Sequence, residues 1–501
     1  MEPAPTTIIP GRCLGPICLG ASLYEVLTIV KEQKQTFPAI HLHHSSSDPL
    51  TTPVVVALPQ NGLRLRFDAA DQRLRLIEVM DFGKIKLAYK GSELVKSSDA
   101  VGTNARPGFR RTYQIFGASY PGEYHPPKDG SKSGSYVLSW TGIAFTFPLE
   151  HSVYGPQKDH VSMLGSSAAS SATQMALFEG SSWPEARKDL FVRVPNGPRC
   201  SALAQRPKDN LPAEIEHASL EGDGKITLIR TPPAAPFVIV LNQTTPQDLI
   251  TELGPPDATK KRDVDTALQQ HQPSKRRTSS ISKPFTNGRT SHAGSQPSSY
   301  SSTGTDTFET DFDSGDADDN PADRTNRETF WCYFTHGMDI LIGPSSPSRT
   351  TATTTTNPTT SPSTPHLTVQ KVIIQANIPG SYTFARHRRL RWTLALPRIP
   401  WATDDLHSEA NFTSTLQPSL LQAFEGIWSE NEMSRGKVVN RTWGTSGGGG
   451  EDSTFFLPDA GEDLVEGQGS ETWLGNSRVF SFPGLGVEVL ENGVVGSLSV
   501  Y

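Results

Sequence analysis

Four times along this chain a glycine opens a run in which every second residue is apolar: Gly62-Leu63-x-Leu65-x-Phe67, Gly142-Ile143-x-Phe145-x-Phe147, Gly337-Met338-x-Ile340-x-Ile342 and Gly484-Leu485-x-Val487-x-Val489. A period of two marks a β-strand with one buried face, and a leading glycine suits a tight turn that needs a positive φ. Each run follows, at variable distance, a segment with helix start or stop signals. The pattern predicts an α+β fold of repeated short-helix plus antiparallel β-hairpin units, forming mostly antiparallel sheets with disordered inserts.

Units one and two are expected over residues 17–150. Ser22-Leu23-Tyr24-Glu25 is a capping box ahead of a helix through Val26, Ile29 and Val30. Residues 54–58, 63–67 and 74–79 alternate as strands, the last two joined by a turn at 68–72, and Ile85, Leu87 and Tyr89 continue the alternation. A weaker helix over 109–116, closed by Gly117, precedes a strand pair within 136–147. A Ser/Ala/Gly-rich loop is expected over 151–184 and a β-rich segment over 185–257, with short strands at 191–194, 226–229 and 237–241. That segment leads into unit three through Thr245 as cap, Pro246 at the first helical position and the stop Gly254-Pro255-Pro256. Over 258–328 large apolar side chains almost vanish, which predicts a disordered insert because too little surface can be buried to offset chain entropy. The remainder of unit three occupies 329–395, with a Thr-rich loop at 344–366, and unit four occupies 396–501, with a Gly-rich loop near 450 and an Asn492-Gly493 hairpin signal.

A net charge of −6 over 501 residues gives no bulk electrostatic case for nucleic acid. No apolar run reaches the roughly 18 residues of a membrane span and no leader is visible, so no transmembrane segment and a cytoplasmic location are expected. Cys13, Cys18, Cys200 and Cys332 match no zinc or redox spacing. They are expected to be structural or idle thiols in a reducing compartment.

The most informative surface is basic. Arg64 and Arg66 alternate with Leu63, Leu65 and Phe67, Arg73 and Arg75 alternate with Leu74 and Leu76, and Lys84, Lys86 and Lys90 alternate with Ile85, Leu87 and Tyr89. If these strands are neighbours, one face carries all seven cations, and like charges opposed across strands cost a few tenths of a kcal/mol each. Either Asp68, Asp71, Glu78 and Asp81 and solvent neutralise them, or Arg64, Arg66, Arg73, Arg75, Lys84, Lys86 and Lys90 form a site for a phosphoinositide head group or an acidic partner. A second run, Arg386-His387-Arg388-Arg389 with Arg391, is expected at an exposed loop end or as an extension of that field. Lys260-Lys261-Arg262 and Lys275-Arg276-Arg277 have bipartite nuclear-import spacing, and Thr278 to Ser282 is dense in phosphorylatable hydroxyls.

For catalysis the sequence offers little. It holds no Gly-x-Ser-x-Gly elbow, Walker loop, kinase set or His-Glu-x-x-His. His41 and His43-His44 are expected in a Ser-rich loop without further metal ligands, and Asp339, between Met338 and Ile340, as a solvated strand carboxylate. No catalytic residue, metal site or cofactor is expected.

The stretches RLRFDAADQRLRLIEVMDFGKIKLAYKG (64–91), FGASYPGEY (116–124), WTGIAFTF (140–147), TTPQDLITELGPP (244–256), YFTHGMDILIG (333–343) and VQKVIIQANIPGSYTF (369–384), with the ending ENGVVGSLSVY, together resemble the phagosome assembly factor family, in a fungal-type form with low-complexity inserts. The resemblance implies a non-enzymatic regulator of autophagy at the phagophore assembly site, in complex with a phosphoinositide-binding-type β-propeller (WD40-type) protein. A trans-Golgi or post-Golgi vesicle trafficking adaptor is the alternative it carries, and an enzyme on an unfamiliar α+β fold is the remaining one. Pro121-Gly122-Glu123-Tyr124 and Pro379-Gly380-Ser381-Tyr382 fall at related places in two units, which points to an internal repeat.

Overall fold

The computed structural model describes residues 5–95, 106–120, 122–127, 132–192, 213–261, 328–345, 366–379, 381, 383–396, 398–399, 406–439 and 477–501. Its first half begins with β1 (Thr6–Ile9), β2 (Cys13–Leu14) and β3 (Ile17–Cys18), followed by helix α1 (Leu23–Glu32). Ser22 caps α1 by accepting the Glu25 N–H, and Leu23, Val26, Leu27 and Val30 bury one face. A meander follows: β4 (His41–His43), β5 (Val54–Leu58), β6 (Leu63–Phe67) and β7 (Leu74–Val79). The chain then passes through β8 (Leu87–Tyr89), β9 (Ser92–Glu93) and α2 (Phe109–Phe116) into a second meander: β10 (Glu123–His125), β11 (Ser133–Trp140), β12 (Ile143–Glu150), α3 (His160–Leu164) and β13 (Gln174–Leu177), with α4 (Trp183–Ala186) beyond it. The two meanders join through an antiparallel β13–β7 pair into one eight-stranded sheet, β10-β11-β12-β13-β7-β6-β5-β4. A smaller sheet, β3-β2-β1-β8-β9, is held by a parallel β1–β8 pair.

The second half repeats that order of connections. Three strands, β14 (Ile215–Glu221), β15 (Lys225–Arg230) and β16 (Phe237–Val240), precede α5 (Pro246–Leu253). The meander β17 (Ala258–Lys261), β18 (Thr329–Tyr333), β19 (Met338–Pro344) and β20 (Leu367–Gln375) leads to β21 (Arg391–Ala395), which pairs in parallel with β14. A one-turn π-helix at Phe412–Leu416 runs into α6 (Gln417–Ala423), then come α7 (Glu430–Ser434) and the meander β22 (Lys437–Val439), β23 (Ser477–Phe482), β24 (Leu485–Leu490) and β25 (Val495–Val500). Again the fourth and last strands pair antiparallel, giving β17-β18-β19-β20-β25-β24-β23-β22. Each half therefore has its own core: Val26, Leu65, Phe145 and Phe147 belong to the first, and Leu249, Ile340, Val372 and Leu498 to the second, all fully buried.

All four glycine-led runs are strands, with each glycine at positive φ (63°, 76°, 79° and 73° at Gly62, Gly142, Gly337 and Gly484). At Gly142 and Gly337 the glycine is also required sterically, since a Cβ would strike the Gly11 backbone and the Arg388 carbonyl. The α+β class with mostly antiparallel sheets holds, but the unit is a helix plus a four-strand meander rather than a hairpin.

Other expectations are corrected. The 151–184 stretch contains α3 and β13, because Met175 and Leu177 alternate into the core between β12 and β7. Phe191 and Val192 lie in a turn rather than a strand, and 193–194 fall outside the described residues. Residues 258–261, at the start of the segment expected to lack structure, form β17. The nuclear-import spacing and the hydroxyl-rich run fall almost wholly outside the described residues, as do most of the Thr-rich and Gly-rich loops. His41 and His43 sit on β4, exposed at the sheet edge. Cys13 and Cys18 are not idle thiols. The β2–β3 hairpin sets them opposite each other and they form a disulfide. The two Pro-Gly segments do not occupy equivalent places, since Gly122 precedes β10 whereas Pro379 follows β20.

Candidate interaction site

The seven cations do not share one face. On the outer face of the first large sheet, Arg64 pairs across the ladder with Glu78 through two hydrogen bonds of 2.6 and 3.0 Å, and Arg66 Nε donates to the same carboxylate at 2.8 Å. This pairing holds the Arg64 guanidinium above its usual range. Between β6 and β7 the register slips, with Arg66 opposite Leu76 but Phe67 opposite Leu74. The extra residue, Arg75, is bulged, and the alternation expected through Leu74 and Leu76 breaks. Leu74 enters the main core, whereas Leu76 packs on the other face against Ala144 and Phe178. Arg73 and Arg75 are consequently buried, 5 % and 2 % exposed. Lys84, Lys86 and Lys90 are exposed but lie off this sheet: Lys84 ends a 3-10 turn and donates to the Pro59 carbonyl, and Lys90, after β8, sits 5.2 Å from the Tyr89 ring centroid.

The buried arginines belong to a charged seam where the two halves meet. The turn between β6 and β7 projects onto the segment between β20 and β21. Asp68 accepts from Arg75 Nε at 2.7 Å and from the Asp71 and Arg73 backbone N–H groups. Glu214, at the start of the second half, accepts from both Arg73 and Arg388, the latter at 2.9 Å. Arg389 donates to the Ala70 and Ala376 carbonyls, and Arg391 bridges Asp71 and Glu409 at 3.0 and 2.9 Å. Gln72 and Asn377 exchange hydrogen bonds, Gln72 Nε2 to the Asn377 carbonyl and Asn377 Nδ2 to Gln72 Oε1, each 2.8 Å. Burial works against the charge on Glu409, yet Arg391, Ser408 and Arg389 together hold its carboxyl down at about 2.

The Arg386 to Arg389 run is thus not an exposed loop end: His387, Arg388 and Arg389 are all buried. Nor is Asp339 solvated. It accepts from His387 Nε2 and from Gln375 Nε2, each at 2.9 Å, and these bonds outweigh burial to hold its carboxyl below the usual range. Cys332 lies beside it, but burial first and the Asp339 charge second push that thiol up to about 12. The trio has the residue types of a thiol enzyme without the arrangement, because the carboxylate touches both partners and the thiol stays protonated. Within the seam, Arg73–Glu214 and Arg391–Asp71 pair charge across the two halves.

Sequence reasoning offered Asp68, Asp71 and Glu78 as internal partners of the first basic run, and they do pair with Arg75, Arg64 and Arg66, but it missed Glu214 and Glu409. The signal available was Arg389-Leu390-Arg391-Trp392, where Leu390 and Trp392 alternate into the core and so mark the run as a strand entrance rather than a tail.

The profile of the family described as Phagosome assembly factor 1 matches residues 14–287. Among curated proteins, a PHAF1 protein of Arabidopsis thaliana is 31% identical over 140 residues, 28% of this chain and 32% of the relative. A PHAF1 protein of Drosophila melanogaster is 28% identical over 36% of this chain and 40% of its own length, and one of Caenorhabditis elegans is 25% identical over 36% and 38%. The chain thus spans about a third to two fifths of the curated relatives it matches. No solved structure matches it.

Proposed function

The chain belongs to the phagosome assembly factor 1 family, and from that premise we propose that it is a non-enzymatic assembly scaffold of autophagy. The observation that carries this reading is the seam. Buried arginines and carboxylates from both halves are spent on one another, which fixes two sheet-and-helix bodies in a set relation, as a platform for partners requires. The sheets leave the edge strands β4, β10, β17 and β22, where a partner strand could add. Among the described residues no helix is long and apolar enough to cross a membrane.

The finer reading is a WD40-type β-propeller partner, recruitment to the phagophore assembly site and contact with phosphoinositide membrane. It is tested by affinity purification of the tagged full chain from fed and starved cells. Starvation-dependent recovery of a propeller protein supports it, and recovery of Golgi coat components alone would favour the post-Golgi adaptor. For the lipid, Lys84, Lys86 and Lys90 are the residues to reverse, because Arg73 and Arg75 are structural. Lys84→Glu, Lys86→Glu and Lys90→Glu together are expected to abolish salt-sensitive sedimentation with phosphoinositide liposomes, at about 1 kcal/mol per cation. Unaltered sedimentation would remove these lysines from the reading. The shared connection order of the halves is consistent with duplication of one module, the sense in which we propose the internal repeat.

A further inference from the structure

The two halves differ at one corresponding place. In the first, an aromatic cleft of about 330 Å³ opens between the end of β8, the end of α2 and the β11–β12 turn, lined by Tyr89, Phe116, Tyr120, Trp140, Ile143 and Pro10. Tyr89 stacks on Phe116 at 4.8 Å, Phe116 lies 5.6 Å from Trp140, and Tyr120 is 42% exposed. None of the lining side chains is charged. The cleft thus has an aromatic wall and a rim carrying the Ser119, Tyr120 and Thr141 hydroxyls, and it is open to solvent, a combination suited to a small docked segment.

The second half differs at the corresponding place in the segment that runs beside it. Its counterparts of Phe116 and Trp140 are Phe424, the cap of α6, and Phe482, the last residue of β23, with ring centroids 6.2 Å apart. In the first half β8 turns straight into β9 through Lys90 and Gly91, both at positive φ. In the second, residues 396–405 intervene before the equivalent return pairing of Thr393 with His407. Leu396 and Ile399 from that excursion are buried in the second core, each 3% exposed, and Arg398 Nη1 donates to the Glu425 carbonyl just past the helix cap at 3.2 Å. A cation at the carboxyl end of a helix is favourably placed. In the second half this excursion therefore reaches the end of α6 through Arg398, whereas the tight Lys90–Gly91 turn of the first half carries no such segment.

We propose that the first-half cleft is a docking site for an extended segment of a partner protein carrying two aliphatic side chains three residues apart with an arginine between them, the chemistry of Leu396, Arg398 and Ile399. The aliphatic pair enters between Tyr89, Phe116 and Trp140, and the guanidinium meets the carbonyls at the end of α2. A cleft of this volume is at the small end of ligand sites and suits two side chains rather than a folded surface.

The probe is a fluorescent peptide copied from residues 394–401, Leu-Ala-Leu-Pro-Arg-Ile-Pro-Trp, titrated against the full chain by anisotropy. Saturable binding is expected, weakened at least tenfold by Tyr120→Ala and by Ala118→Trp, two changes at exposed positions of the cleft. The peptide carrying Leu396→Asp and Ile399→Asp should not bind. A photo-crosslinker in place of the second leucine is expected to label residues 116–143. The proposal is overturned by no saturation up to about 1 mM, by binding that neither cleft variant weakens, or by cross-links confined to the second half, which would mean displacement of the resident segment.

Discussion

Two of the turn glycines do different work although both sit at positive φ. A Cβ at Gly484 would make only an ordinary 3.5 Å contact with the Tyr501 carbonyl, whereas one at Gly337 would collide with the Arg388 carbonyl inside the seam. Gly484→Ala is expected to cost about 1–2 kcal/mol, the left-handed penalty alone. Gly337→Ala should cost clearly more, in urea unfolding, because the seam backbone must also move. Equal costs would show that the close approach carries no energy. His336 makes a second residue-scale case. Burial, and secondarily the Arg388 charge, lower its pKa from 6.5 to about 4. The unfolded chain then binds the extra proton between those values, so stability falls as pH drops from about 6.5 to about 4, by on the order of 3 kcal/mol in total. His336→Phe is expected to flatten the pH dependence of the unfolding free energy in that window, whatever it does to the baseline. An unchanged slope would assign the dependence elsewhere.

Among the elements, β25 has the most consequential position. It lies mid-sheet, hydrogen-bonded to β20 on one side and β24 on the other, and so joins the two meanders of the second half. Val495, Leu498 and Val500 from this strand are buried in the core. A chain ending at Gly493 would expose the facing edges of β20 and β24 together with the apolar face beneath. Its expected fate is insolubility on expression, and a soluble, cooperatively folding product would mean that β25 does not bridge the meanders. At the same scale, the β6–β7 bulge shows how one inserted residue turns a basic strand face into a buried ion pair, since Arg75 is removed from solvent and handed to Asp68.

For the whole molecule the decisive question is whether the halves unfold as one body. Glu214 receives Arg73 from the first half and Arg388 from the second, and is itself 8% exposed. Removing one carboxylate from a buried cluster generally costs about 3–5 kcal/mol because the remaining charges lose compensation. Glu214→Gln is therefore expected to split a single calorimetric transition into two, one per half, or to lower both together by that amount. A transition identical to the parent's would show that the seam does not couple the halves. The aromatic cleft belongs to this scale too, because the difference in the segment beside it is visible only when the two halves are compared.

By itself the sequence determined the four glycine-led strands, the helix caps at Ser22 and Thr245 and the family, but not β13 or β17. Alternation and capping are written within a few neighbouring residues, as at Gly62 to Phe67 or in the Thr245–Asp248 capping box, and the quoted stretches between 64 and 256 fall within residues 14–287, which the family profile matches. What became of the charges was decided only by the fold. Arg389 and Arg391 find Ala70 and Asp71 across 319 and 320 residues of chain, and no local pattern encodes so distant a partner. Local periodicity fixes which way a side chain points from its own strand, but burial and pairing depend on which surface arrives opposite, and tertiary packing alone supplies that.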